Sequence, residues 1–191
     1  MYSHLCVPAY TGTDNGGATS KGVFPSEVRI GITVPLESEV PEGRLEREFR
    51  PTDIEETRLL KVWQTYFNQN FEFYRRYMQF YVRRMSSTDE DLGRATVRAF
   101  NEEDKVFAII GPGATPSAAA IAESVRLKII VWAPGQNPVD FYKASHPYAY
   151  SFEVDSWQTR YLGTELACKL YHGKPPGDLN GKEDPTFDYS K

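Results

Sequence analysis

Apolar and polar positions alternate over residues 28–34, where Val28, Ile30, Ile32 and Val34 are separated by Arg29, Gly31 and Thr33. A period of two predicts a short strand, and Pro35 ends it. Residues 2–24 show no apolar period and carry the turn formers Thr11, Gly12, Thr13, Asp14, Asn15, Gly16 and Gly17. An extended arm over 1–24 is expected. Residues 37–51 read as a polar loop rich in Glu and Arg. Thr52 with Glu55 forms a capping box, and Leu59, Leu60, Trp63, Tyr66 and Phe67 follow at helical spacing. This pattern predicts a helix over 53–70 with that stripe in the core. Residues 78–82 suggest a second strand and 86–91 a turn. Leu92, Ala95, Ala99 and Phe100 form the next helical stripe.

Residues 106–110 (Val-Phe-Ala-Ile-Ile) and 129–133 (Ile-Ile-Val-Trp-Ala) are unbroken apolar runs. Strands covered on both faces look like this, and such strands belong to parallel sheets. The two runs are expected to lie adjacent, central and parallel, in one sheet with 28–34. Between them Thr115 is placed as a helix cap, Pro116 at the first helical position, and 118–125 as helix. Residues 148–152 suggest a fifth strand. Asp155 with Gln158 caps a last helix carrying Leu162, Leu166 and Leu170, which Gly173 ends. The alternation implies an α/β fold, a mostly parallel, Rossmann-like open sheet with right-handed crossovers. In such sheets ligands sit outside the carboxyl ends of the strands. Here those ends are the loops after Val34, Arg83, Ile110 and Ala133.

Charge and composition then remove function classes. The chain of 191 residues has 22 Lys and Arg against 26 Asp and Glu, a net charge of −4. That balance argues against nucleic acid as a partner. No apolar run approaches the ~20 residues of a membrane span. No apolar leader segment follows Met1, so no signal peptide is expected on this chain. Cys6 and Cys168 form no CxxC pair, and His4, His146 and His172 are scattered, so no metal site and no cofactor are expected. His4 with Cys6 is too small a set to hold a metal. No GxSxG, HExxH, P-loop or GxGxxG motif is present, and the acids 89–91 and 102–104 fit helix ends in solvent. An enzyme is therefore not expected.

Two loops carry candidate chemistry. Gly111-Pro112-Gly113-Ala114-Thr115-Pro116-Ser117 joins an apolar strand to a helix N-terminus. Free amides there attract an anion such as a carboxylate, and Thr115 and Ser117 add hydroxyls. The plainer reading is a tight turn with a good cap. Pro134-Gly135-Gln136-Asn137-Pro138 follows the next strand, and its two carboxamides suit a small polar ligand. A simple Pro/Gly/Asn turn explains it equally well. Residues 63–81 hold nine aromatics among Arg75 and Arg76, with Arg83 and Arg84 just beyond. Base stacking fits that mixture less well than a core stripe does, given the acidic chain.

Several segments resemble one family. Residues 22–31 (Gly-Val-Phe-Pro-Ser-Glu-Val-Arg-Ile-Gly) resemble the opening of type I solute-binding proteins of ABC transporters, the Leu/Ile/Val-binding kind. Cys6-Val-Pro and residues 14–19 resemble its actinobacterial secreted branch. Residues 106–112, with Thr115 and Ala122 beyond, are similar to the family's third strand, Gly-Pro loop and helix. Residues 148–152 with the capped helix after them resemble the crossing into a second lobe. The resemblance spans about residues 6–173.

The resemblance implies the first lobe of a type I periplasmic-binding-protein fold, incomplete. It divides the chain into an arm (1–24), a lobe-one core (25–147), a crossover strand and first helix of lobe two (148–173) and a polar tail (174–191). It implies a substrate-binding component that captures a small solute, an amino acid, amide or small carboxylate, between two lobes. An ABC permease would be the partner of the full-length parent, and the location would be extracellular or in the cell envelope. A ligand-sensing domain of the same fold, or less favourably a Rossmann-like enzyme, is the alternative. The ligand-contacting set is Gly111, Pro112, Thr115, Ser117, Gly135, Gln136, Asn137 and Tyr150. Thr115 keeps the hydroxyl of the family's Ser. Gly135-Gln136 replaces an Ala-Thr pair, Arg83-Arg84 stands where an acidic pair is usual, and Glu153 stands for an Arg. These departures weaken the case for an α-amino acid ligand. Cys6 is expected to seek a partner outside the chain, and Cys168 to be a buried free thiol.

Overall fold

A computed structural model describes residues 10–36, 53–111, 116–132, 137–151 and 153–171. Its elements run β1 (Glu27–Pro35), α1 (Asp53–Asn70), β2 (Tyr77–Met85), α2 (Glu90–Ala99), a π-helical turn (Phe100–Asp104), β3 (Ala108–Ile110), α3 (Ala118–Arg126), β4 (Ile130–Trp132), α4 (Val139–Ser145), β5 (Ala149–Tyr150) and α5 (Ser156–Tyr171). The five strands form one sheet in the order β2-β1-β3-β4-β5. Every pairing within it is parallel. The two apolar runs are neighbours as expected, with Ala108 opposite Ile130 and Ile109 opposite Val131. Each is shorter than its apolar run, covering three residues.

Strand register explains the two cores. Tyr81, Gly31, Ile109, Val131 and Ala149 stand in one row across the sheet. Side chains in one row of a parallel sheet share a face. Ile109, Val131 and Ala149 join Met85, Val97, Phe100, Ala120 and Ile121 in the larger cluster, so α2 and α3 cover this face. The next row, Phe80, Ile30, Ala108 and Ile130, faces the other way and packs with Leu60 of α1. Gly31 lies on the first face because a methyl there would meet the Phe100 ring at 2.9 Å.

Several sequence expectations change. The core stripe of α1 is not a core stripe. Leu60 is buried, but Leu59, Trp63 and Tyr66 are exposed at 48%, 41% and 54%. The inward positions next to Leu60 are Gln64 and Asn68, whose carboxamides bind the backbone of the edge strand β2. Asn68 accepts from Met78 N at 2.6 Å and donates to Met78 O at 2.9 Å. Gln64 Oε1 accepts from Phe80 N at 2.7 Å. A backbone edge needs polar partners, so it claims the polar face of the helix. Strand β2 extends to Met85 because it pairs with β1 along all nine residues. The cap of α3 is Ser117, whose Oγ accepts from Ala120 N at 3.2 Å, and Pro116 lies before the helix. Helix α4 was not foreseen, because its seven residues carry no full apolar period. Cys168 is a free thiol, exposed rather than buried, since α5 makes no extensive contact with another described element.

The expected arm is described from Tyr10. Val23 bridges antiparallel to Val28, and Lys21 Nζ donates to Leu127 O at 2.8 Å. The buried Arg76 guanidinium donates to the carbonyls of Phe24, Asn15 and Gly17. These contacts hold residues 15–24 against the amino-terminal end of the sheet.

Candidate functional site

The strand order fixes where a crevice opens. From β1 the chain crosses to β2 on one side, and β3, β4 and β5 lie on the other. The carboxyl ends of β1 and β3 therefore flank the topological switch point, where ligands of open parallel sheets bind. Pro35 and Gly111 stand at those two ends. Strand β4 lies next to β3 and parallel to it, so their carboxyl ends stand side by side on the same rim.

Of the predicted contacting residues, Gly111, Ser117, Asn137 and Tyr150 are described. Pro112, Thr115, Gly135 and Gln136 lie outside the described residues, as do the expected capping residue Thr52 and Cys6. Gly111 is half-buried at the end of β3. The Ser117 hydroxyl caps α3 and lies close to α2, since a methyl on Gly93 would come within 3.1 Å of it. Asn137 Nδ2 donates to the Tyr142 hydroxyl, and Asn137 O accepts from Ser156 N, both at 3.4 Å. Asn137 thus ties the β4 loop to the start of α5. Tyr150 is 48% exposed and stands in register with Trp132. The pair sets two aromatic side chains together at the rim. Trp132 was missed because within an unbroken apolar run it read only as core.

The charge reversal at the end of β2 is largely neutralised within the fold. Arg83 binds Asp104 at 2.5 Å and Glu103 at 2.6 Å, both on the π-helical turn. These carboxylates, Asp104 first, raise the Arg83 pKa further above its usual value. Arg84 Nη1 donates to Pro35 O at 2.8 Å, bridging the ends of β2 and β1. Buried Ser86 accepts from Thr88 N and Asp89 N, and Asp89 in turn caps α2 through Leu92 N. The loop after β2 therefore satisfies its own backbone. Glu153, which the sequence resemblance sets against an Arg, is exposed, and its N–H donates to Ser151 Oγ at 3.0 Å.

Among the described residues, one open groove of about 300 Å³ lies between Arg83, Arg84 and the Leu92, Ala95, Thr96 and Ala99 face of α2. A larger one, about 580 Å³, runs along Val154, Trp157, Gln158, Tyr161 and Leu162. The larger groove belongs to α5 and not to the switch point.

Solved structures share this arrangement. An ABC-transporter substrate-binding protein from Desulfitobacterium hafniense, in complex with Leu, superposes over 76% of this chain and 40% of its own with a TM-score of 0.51 and 17% identity. The solute-binding protein of an ABC transporter from R. palustris, in complex with 4-hydroxybenzoate, does so over 75% and 36% with a TM-score of 0.52 and 14% identity. The fold is that of the type I solute-binding proteins. At these identities the likeness establishes the fold, in agreement with the segments that resembled this family in the sequence. No family model matches the chain, and no curated protein does. The chain spans about two fifths of the length of the solute-binding proteins it matches. Its sheet thus corresponds to part of the type I solute-binding fold.

Proposed function

We propose that the chain is the solute-binding first lobe of an ABC-transporter substrate-binding protein, without catalytic activity of its own, and that it takes a small carboxylate. The supporting observation is the parallel pairing of β3 and β4 beside the switch point, within a fold whose solved examples hold small solutes. The loop 111–117 leads into the N-terminus of α3, where free amides suit a carboxylate, and Thr115 adds a hydroxyl. The loop 135–137 adds the carboxamides of Gln136 and Asn137, and Tyr150 with Trp132 offers aromatic surface on the same rim. Leu and 4-hydroxybenzoate, the solutes of the two matched proteins, are both carboxylates.

In this reading residues 25–147 are lobe one, 148–173 the crossing into lobe two, and a permease is the partner of a longer protein outside the cytoplasm. A thermal-shift screen of amino acids, amides and small carboxylates on a protein carrying both lobes tests it. A carboxylate that raises the melting temperature, with binding weakened about ten- to a hundredfold by Thr115→Ala/Gln136→Ala, is expected. Equal binding by the double variant removes the site, and a screen with no stabilising solute removes the function.

A further inference from the structure

An N-cap carboxylate reaches the second and third amides of a helix and leaves the first one open. Helix α5 follows this rule. Asp155 Oδ1 accepts from Trp157 N at 2.8 Å and from Gln158 N at 3.0 Å, and Gln158 Oε1 accepts in return from Asp155 N at 3.4 Å. The first amide, Ser156 N, donates across the fold to Asn137 O at 3.4 Å. Among the described residues, no other hydrogen bond or ion pair joins α5 to any residue before 155. Asn137 is itself held from the side of the sheet. Its Nδ2 donates to the Tyr142 hydroxyl at 3.4 Å, and Tyr142 stands on α4, packed against the larger core cluster. Pro138 restricts the Asn137 backbone to extended conformations, and Pro138 O accepts from Phe141 N at 3.0 Å as α4 begins. The Asn137 carbonyl therefore meets Ser156 from a frame that the core fixes.

We propose that Asn137 is a latch that positions α5 against the sheet and, on the reading that α5 opens a second lobe, sets the angle between the lobes. From Tyr150 the chain reaches α5 through residues 151–155, and a chain connection alone leaves a helix free to pivot. The bond from Ser156 to Asn137 is a second point of attachment, and two points fix a direction. One hydrogen bond shifts such an equilibrium by a factor of only about two to ten, so the attached and released positions of α5 stay exchangeable, as a hinge requires. Asn137 also belongs to the loop offered to the solute. A solute that draws its carboxamide away from the Tyr142 hydroxyl loosens the frame of the carbonyl that Ser156 holds. Solute binding and lobe angle then act on one residue, and each biases the other. Asn137 is in this role a positioning residue.

Amide hydrogen exchange on the full chain, read residue by residue without solute, tests the latch. Tyr142→Phe removes the hydroxyl, and Asn137→Ala removes the carboxamide. Both should speed exchange at Ser156 about two- to tenfold, the worth of one hydrogen bond. Trp157 and Gln158, capped by Asp155, and Val131 in the sheet should keep the parent rates. Cys168 is exposed on α5 and Ala122 is exposed on α3. Spin labels on Cys168 and on Ala122→Cys, in a Cys6→Ser background, should give a broader distance distribution in both variants. Tyr161→Phe, which removes an exposed hydroxyl of α5 itself, should change neither reading. The latch is rejected if Ser156 exchanges at the parent rate in both variants, or if the label distances stay as narrow as in the parent. Faster exchange at Val131 as well would reject it too, and assign Asn137 and Tyr142 to the stability of the whole fold. Neither reading involves a solute, so a failed carboxylate screen leaves the latch standing, and a failed latch leaves the result of the screen untouched.

Discussion

Two glycines and one glutamate show how tightly single positions are set. Gly22 has φ +69°, and a methyl there would lie 2.0 Å from Phe107 N and 2.4 Å from Val106 C. Neither the backbone conformation nor the space admits a side chain. Gly22→Ala should therefore destabilise by about 3 kcal/mol or more, read from urea unfolding, and loosen residues 15–24 from the sheet. Gly31→Ala meets only the Phe100 ring, which can shift, and should cost about 1–3 kcal/mol. Glu123 is buried and accepts from Arg126 and Arg98, at 2.7 Å each at its Oε1. These bonds, Arg126 first, lower its pKa from 4.5 to about 2. Because the folded value is the lower one, its contribution is full above about pH 4.5 and is lost as pH falls toward about 2. Glu123→Gln should cost roughly 2–3 kcal/mol at neutral pH, and that deficit should shrink on acidification. A deficit independent of pH assigns the loss to packing.

At the scale of elements, the edge of β2 is closed by a helix rather than by a strand. Gln64 and Asn68 stand one helical turn apart and meet Met78 and Phe80, two residues apart on the strand. Gln64→Ala/Asn68→Ala would leave three backbone groups to water. It should speed hydrogen exchange at Met78 and Phe80 while leaving Ile109 and Val131 protected; uniform loss of protection would mean that α1 supports the whole sheet. This arrangement also shows where the sequence was legible. Strand β1 announced itself through its period of two and strands β3 and β4 through unbroken apolar runs, because a sheet interior demands apolar side chains whatever else surrounds it. The bounds of α1 were equally readable. Its orientation was not, since the rule that apolar residues face inward failed where the neighbour was a polar strand edge. The loops 111–117 and 135–137 drew attention as candidate places for ligand chemistry because glycines, hydroxyls and carboxamides cluster after strands, and residues 112–115 and 135–136 lie outside the described residues. Trp132 was hidden in its run, and its pairing with Tyr150, which the sequence had already singled out, emerged only through register.

The whole molecule presents one more unpartnered element. Helix α5 exposes Trp157 at 71%, Tyr161 at 72% and Leu166 at 57%, and no described helix or strand makes an extensive contact with it. Apolar side chains on this scale require cover, and the matched solute-binding proteins extend well past the part this chain spans. If α5 opens a second lobe, as proposed, its apolar side is core in a protein carrying both lobes. Cys168 reports on this directly, being an exposed free thiol on that helix. In the 191-residue chain a thiol reagent should modify Cys168 at nearly the rate of a free cysteine. In a two-lobe protein the rate should fall by an order of magnitude or more, as the helix becomes covered. The same comparison bears on solute capture, because a solute held on the rim of one lobe stays open to water on its other side. Affinity for the stabilising carboxylate should therefore be far weaker for the chain alone than for the two-lobe protein. Equal Cys168 rates would place α5 outside any second lobe. Slowed labelling with equal affinity would keep the architecture and reject closure of two lobes as the means of binding.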